Sequence, residues 1–362
     1  MIRVLTSRWT VFIPLLAATA LAVTWGRSLP GIGVVVVVAA LAGAVLAAVH
    51  HAEVIAHRVG EPFGSLVLAV AVTVIEVGLI VTMWVTSGEK SATLARDTVF
   101  AAVMITCNGI FGLALLVGAV RRRVAVFNAE GTGAALATVA TLSTLSLVLP
   151  TFTTSKPGPE FSAAQLAFAA VASLSLYVLF VMVQTVRHPG DFLPVEQSDD
   201  GAVAERGERP SVRATLLGLA MLVVALVAVV GLAKVVSPSI ESAVASAGLP
   251  QSAVGVVIAL LVLLPETLAA VRAARRDQVQ ISLNLALGSA MASIGLTIPA
   301  IAIATIWLDG PLVLGLGATQ MVLLALTVVV GVLTVVPGRA TLLQGGVHVA
   351  LFSAFVFLAA SP

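Results

Sequence analysis

Charge is scarce in this chain. Only 10% of its 362 residues are Asp, Glu, Lys or Arg, where a soluble domain carries about a quarter. With 59% hydrophobic residues and a mean hydropathy of +1.12, the polar surface is too small for a water-soluble globule. Cysteine is nearly absent too. Cys107 stands alone in an apolar run, which excludes an internal disulfide. The signatures HExxH and GxSxG and the Asp-rich prenyl-diphosphate motif are missing, so intramembrane hydrolase or transferase chemistry has no foothold and an enzyme is not expected. The formal net charge of +2 is small, and nucleic acid is not an expected partner.

What the chain has in abundance is apolar runs of bilayer length. Eleven spans are expected, near 9–26, 31–49, 64–86, 98–120, 133–151, 162–185, 213–236, 252–272, 281–306, 312–336 and 341–360. The fold class is therefore an all-α polytopic membrane protein. The first span follows Arg3 and Arg8 like a signal peptide, but ten more spans come after it, so it is expected to be retained. With the N-terminus inside, fourteen arginines fall on the cytoplasmic side, among them Arg121–Arg123 and Arg272–Arg276, against five basic residues outside. This positive-inside bias places the N-terminus in the cytoplasm and the C-terminus outside.

Residues 187–212 form the one polar linker, with six acidic residues from Asp191 to Glu208, and are expected to be a solvated cytoplasmic hinge. Cut there, the chain divides into an N-terminal helix (1–28), a five-helix unit (29–186), the linker and a second five-helix unit (213–362). An odd number of helices per unit turns the second upside down. Inverted repeats of this kind place the transported substrate near the midplane, between discontinuous helices.

Two glutamates mark that midplane. Glu76 and Glu266 lie in VAVTVIEVGLIV and VVIALLVLLPETLAA, each in the second helix of its unit. An acidic residue at a helix centre costs about 2.5–3.5 kcal/mol on insertion, and intramembrane ionisable groups usually line an ion or proton path. The helix after each glutamate carries polar punctuation: Asn108 in ITCNGIFG, then Asn284, Gly288, Ser289, Ser293 and Gly295 in NLALGSAMASIGLTIP. Pro265 removes a backbone donor next to Glu266 and can free a carbonyl at its level. These oxygens suit a hard cation such as Ca²⁺, which takes six to eight oxygen ligands. Asn108 and Ser289 are the expected neutral ligands, with Thr73, Asn284 and Ser293 as secondary candidates. Without a metal, two facing carboxylates in low dielectric cannot both stay ionised, so protons occupy the empty site. Metal and protons then compete for the same oxygens, which is the chemistry of an antiporter.

HHAEVIAHRVGEPFGSLVLAVAVTVIEVGLI with RDTVFAAVMITCNGIFGLALLVG, and LLPETLAAVRAARRDQVQISLNLALGSAMASIGLTIP, resemble the two α-repeats of the bacterial calcium/proton and sodium–potassium/proton antiporters of the calcium/cation antiporter superfamily. The resemblance runs from about residue 40 to the C-terminus. It implies an exchanger fold with the α-repeats crossing at the cation site, and alternating access by a sliding bundle made of the first span and the span that opens each repeat. Glu76 and Glu266 match the family's paired acids, Leu264-Pro265-Glu266 its exchanger motif, and Asn108 and Ser289 its polar positions. The sequence departs from the pattern where relatives carry polar runs before each glutamate; here Val72-Thr73-Val74-Ile75 and Val262-Leu263-Leu264-Pro265 stand. Ala292 occupies a slot expected to be polar. The site is thus poor in side-chain oxygen, which favours proton coupling over strict calcium selectivity.

A second polar cluster, His50, His51, Glu53, His57, Arg58 and Glu61, is expected as an interfacial segment between the second and third spans. Glu53 and His57, four apart, share a helical face; with Glu61 they are candidates for a cytoplasmic gate or pH sensor, because histidine titrates near cytoplasmic pH. His348 is expected to be a packed, hydrogen-bonded residue. The functional expectation is a Ca²⁺/H⁺ antiporter of the bacterial plasma membrane, with Na⁺ or K⁺ as further candidate ions. The expected partners are small cations, protons and the bilayer, with no cofactor beyond the transported ions. The alternatives are a monovalent Na⁺/K⁺:H⁺ antiporter and, from another class, a channel or uniporter, which would not need an acid pair that excludes its own cation.

Overall fold

The computed structural model describes residues 2–27, 29–60, 63–87, 92–195, 211–250, 252–308 and 310–361. Helices run in the order α1 (Ile2–Thr24), α2 (Gly31–Val59), α3 (Phe63–Ser87), α4 (Leu94–Met104), α5 (Phe111–Arg122), α6 (Ala129–Ser143), α7 (Ala163–Met182), α8 (Val212–Ser246), α9 (Ser252–Val262), α10 (Leu264–Arg275), α11 (Val279–Ala304), α12 (Ala318–Val335) and α13 (Leu342–Ala360). Among the described residues nine helical spans are long and apolar enough to cross a membrane, and the bent pair α9–α10 counts as a tenth. The first expected span is a shorter apolar helix, Trp9–Thr24. Glu61 and residues 196–210 of the acidic linker lie outside the described residues.

The structure corrects the expected spans in three places. First, α2 does not end near residue 49 but continues to Val59, so the histidine cluster is its last turns and not an interfacial connection. Val49, Ala52 and Ile55 keep an apolar stripe buried along it, and an amphipathic stripe holds a helix on its neighbours where overall hydrophobicity falls. Gly60, at φ 78°, ends the helix in a conformation that favours glycine. Second, the fourth span is not one regular helix: a π-helical segment, Ile105–Ile110, joins α4 to α5. Third, residues 311–317 are not helical, and α12 starts only at Ala318. That stretch is fixed by backbone bonds from Val313 to Ala92, Gly315 to Pro159 and Leu316 to Leu147.

The arginine-rich connections converge on one end. There β1 (Val124–Val126) and β2 (Arg339–Thr341) form a short antiparallel ladder, and the α10–α11 turn is tied in by ion pairs from Arg121 and Arg122 to Asp277. At the other end Arg96 pairs with Asp97 at 2.8 Å and donates to the Gly315 carbonyl at 3.2 Å.

Buried apolar residues fall into two clusters. The larger joins α4, α5, α6, α7, α11 and α12. The smaller is built from α1, α2 and α8, whose Val45, Ala48, Ala225 and Val229 are fully buried, and it rests on faces of α3 and α9. Within the smaller cluster α3 and α8 approach closely at a glycine. A Cβ on Gly78 of α3 would lie 2.6 Å from Val230 Cγ2 of α8.

Candidate functional site

α3, α10 and α11 carry the two glutamates and their neighbours. Glu76 is buried on α3, and its Oε1 accepts a 2.7 Å hydrogen bond from the Ser293 hydroxyl of α11. Thr297, one turn further along α11, turns its buried hydroxyl toward the same carboxylate. Thr73, one turn before Glu76, is buried on the same helix.

Glu266 sits at a break. α9 and α10 meet at Leu263 with a bend of 52°, because Pro265 offers no N–H to the carbonyl four residues back and its ring crowds that turn. The new helix starts at Leu264, which puts Glu266 in its first turn, where the positive end of the helix dipole favours an anion. The Glu266 backbone N–H lies close to its own carboxylate. The second oxygen, Oε2, is shielded from solvent and has no hydrogen-bond partner. Glu76 and Glu53 are both near enough for their charges to act on Glu266.

Glu266 and Ser289 line a cavity of about 230 Å³ between α3, α7, α10 and α11. It lies in the half of the bundle nearer the arginine-rich end, since Leu68, Gln184 and Ile281 on its wall are close to helix ends on that side. Asn284 also lines it, but its amide is committed, donating to the Phe192 carbonyl at 2.6 Å and accepting from Gln280 at 2.8 Å.

Of the expected site residues the structure therefore brings together Glu76, Glu266, Ser293 and Ser289. It does not bring Asn108 to them. The Asn108 amide donates to Thr327 of α12 at 2.8 Å, and its oxygen pairs with His348 of α13 at 3.1 Å; His348 completes the chain to Thr334 at 3.2 Å. This buried network fastens the π segment to the last two helices. Thr297 is a member that the sequence reading leaves out, although the spacing Ser289, Ser293, Thr297 is an i, i+4 ladder on one helical face that could have shown it. Among the described residues no three His, Cys, Asp or Glu side chains gather as a metal site.

The cluster on α2 is only partly a unit. His51 bonds the Thr10 carbonyl at 2.8 Å and His50 packs on Trp9, so both face α1. Glu53 instead faces His57 and Arg272 of α10.

A bundle of membrane-length helices that holds two carboxylates inside, one of them lining a cavity, fits a membrane ion transporter. The model of the sodium/calcium exchanger protein family matches residues 29–186 and 217–360, and the chain belongs to that family. A protein of Sinorhizobium fredii, y4hA, is 45% identical over 98% of this chain and 96% of its own length. The sodium-potassium/proton antiporter ChaA of Escherichia coli is 33% identical over 96% of this chain and 94% of its own. Among solved structures, the H⁺/Ca²⁺ exchanger CAX shares the fold with a TM-score of 0.67 at 15% identity, over 96% of this chain and 88% of that one.

Proposed function

We propose that this protein is a secondary active cation/proton antiporter that expels Ca²⁺ from the cytoplasm in exchange for H⁺, with Glu76 and Glu266 as the shared cation and proton site. The observation that carries the reading is the pairing of two membrane-buried carboxylates, one oxygen of which has no donor. Such an oxygen is costly unless a proton or a cation occupies it. The two carboxylates offer up to four oxygens and the hydroxyls of Ser289, Ser293 and Thr297 three more, within the six to eight that Ca²⁺ takes. Occupation by protons and by metal excludes one another, and this exclusion couples the two fluxes. The arginine-rich end is cytoplasmic, the N-terminus inside and the C-terminus outside a bacterial plasma membrane, and the cavity is the inward approach to the site.

One observation favours Na⁺ or K⁺ as the main ion. The Asn108 and Asn284 oxygens are both bonded elsewhere, which leaves hydroxyls as the only neutral side-chain ligands and suits a less demanding monovalent ion. The 33% relative is named for those ions.

Everted vesicles with a pH-sensitive dye test both readings. Adding Ca²⁺, Na⁺ or K⁺ in turn is expected to release protons in wild type, and Glu76→Gln or Glu266→Gln to abolish the release while still reaching the membrane. Normal proton release in either variant would sink the two-carboxylate site. Current that needs no proton would identify a channel.

A further inference from the structure

The cavity before Glu266 is built for more than a metal ion. Its walls are Leu68, Val72, Phe180, Val181 and Leu285, and a hydrated inorganic cation gains nothing from such surfaces. At about 230 Å³ it is half as large again as the roughly 150 Å³ apolar cavity that takes a benzene ring. Glu266, whose enclosed Oε2 has no hydrogen-bond partner, and Ser289 also line it. Gly288 on its wall also points to a space kept open. Several glycines of the bundle are jammed against neighbours, as Gly112 is against His348 and Gly295 against Tyr177, but a Cβ on Gly288 would meet nothing within 4 Å.

We propose that this cavity is a binding site for a small lipophilic ammonium ion, with the ammonium on Glu266 and Ser289 and the alkyl group along the apolar wall. Charge complementarity selects the occupant. An ammonium brings a full positive charge and three N–H donors to the carboxylate that lines the cavity, while a neutral chain of the same length brings no charge. A methylene removed from water contributes about a fourfold gain in affinity, and the gain ends when the cavity is full. The site requires the Glu266 charge but not transport, so it stands or falls apart from the antiport reading.

The test is calorimetric titration of n-alkylammonium chlorides, from propyl to octyl, into the full-length protein in lipid nanodiscs at mildly alkaline pH, with empty nanodiscs subtracted. Saturable binding is expected to tighten about fourfold per added methylene and then level off, and the matching n-alkanols to bind at least about tenfold more weakly. Gly288→Leu is expected to weaken the amine at least about tenfold by filling the space, with Gly288→Val as the second variant should the larger one not elute as wild type does. Glu266→Gln is expected to erase the difference between amine and alkanol. Equal affinity for amine and alkanol in wild type would show a niche for lipid chains and overturn the proposal, as would cavity-filling variants that bind the amine undiminished. Both outcomes can be read even if the protein moves no Ca²⁺.

Discussion

Ser293 and Ser289 are one turn apart on α11, yet they stand by different carboxylates. Ser293 donates to Glu76, whereas Ser289 shares a cavity wall with Glu266. A hydrogen bond to a charged group is worth about 1.5–3 kcal/mol, so Ser293→Ala is expected to weaken apparent cation affinity by about tenfold or more, and Ser289→Ala by less. Binding isotherms of the purified variants check the order; the reverse order would mean that Ser289 is the principal neutral ligand. Asn108→Ala is expected to act through stability. It takes one buried hydrogen-bond partner from Thr327 and one from His348, a loss of about 1–3 kcal/mol, and should lower the thermal midpoint while cation affinity stays near wild type. The acids were legible in the sequence because a carboxylate in an apolar run is too costly to be incidental. Asn108 was not, since a buried amide looks the same whether it faces an ion or, as here, side chains more than two hundred residues away.

Helix breaks show the same division between local and distant causes. The break at Leu263 could be expected from Pro265, because a missing N–H is a property of one residue. The π segment at Ile105–Ile110 could not, for its extra residue is held by partners on α12 and α13. The extension of α2 through His50–Val59 was hidden by polar residues that give the segment an interfacial look, although its buried stripe runs on. Pro265→Ala restores the donor and lets α9 run into α10. Glu266 then leaves the helix start and the dipole that favours its charge. The variant is expected to insert normally and to lose most cation-driven proton flux in everted vesicles. A variant that transports at the wild-type rate would show that the 52° bend is dispensable.

At the scale of the whole molecule, α1, α2 and α8 share one apolar core that also takes in faces of α3 and α9, and the proposed alternating access requires these helices to move against α3. Gly78 and Val230 lie on the seam between α3 and α8, and a Cβ at Gly78 would stand 3.8 Å from the Val230 Cβ, the mean separation in disulfides of about 3.8 Å. In a Cys107→Ser background, oxidation of the pair Gly78→Cys and Val230→Cys is expected to stop transport, and reductant to restore it. A pair between α1 and α8, Leu21→Cys with Gly231→Cys, is expected to transport whether oxidised or reduced. Full transport by the oxidised seam pair would mean that the seam does not move. Parity and charge suggest a division of the chain, but which helices share a core depends on packing faces that no single span displays.

The ladder between Val124–Val126 and Arg339–Thr341 also sets a timetable. Its first strand leaves the ribosome more than two hundred residues before its mate, which at about 5–20 residues per second is a wait of roughly 10–40 s. During that interval the backbone edge of β1 lacks the strand it pairs with in the finished fold. Closure of that edge marks the moment when the last helix hairpin has arrived, so premature termination within α12 would leave a bundle that is inserted but never fastened.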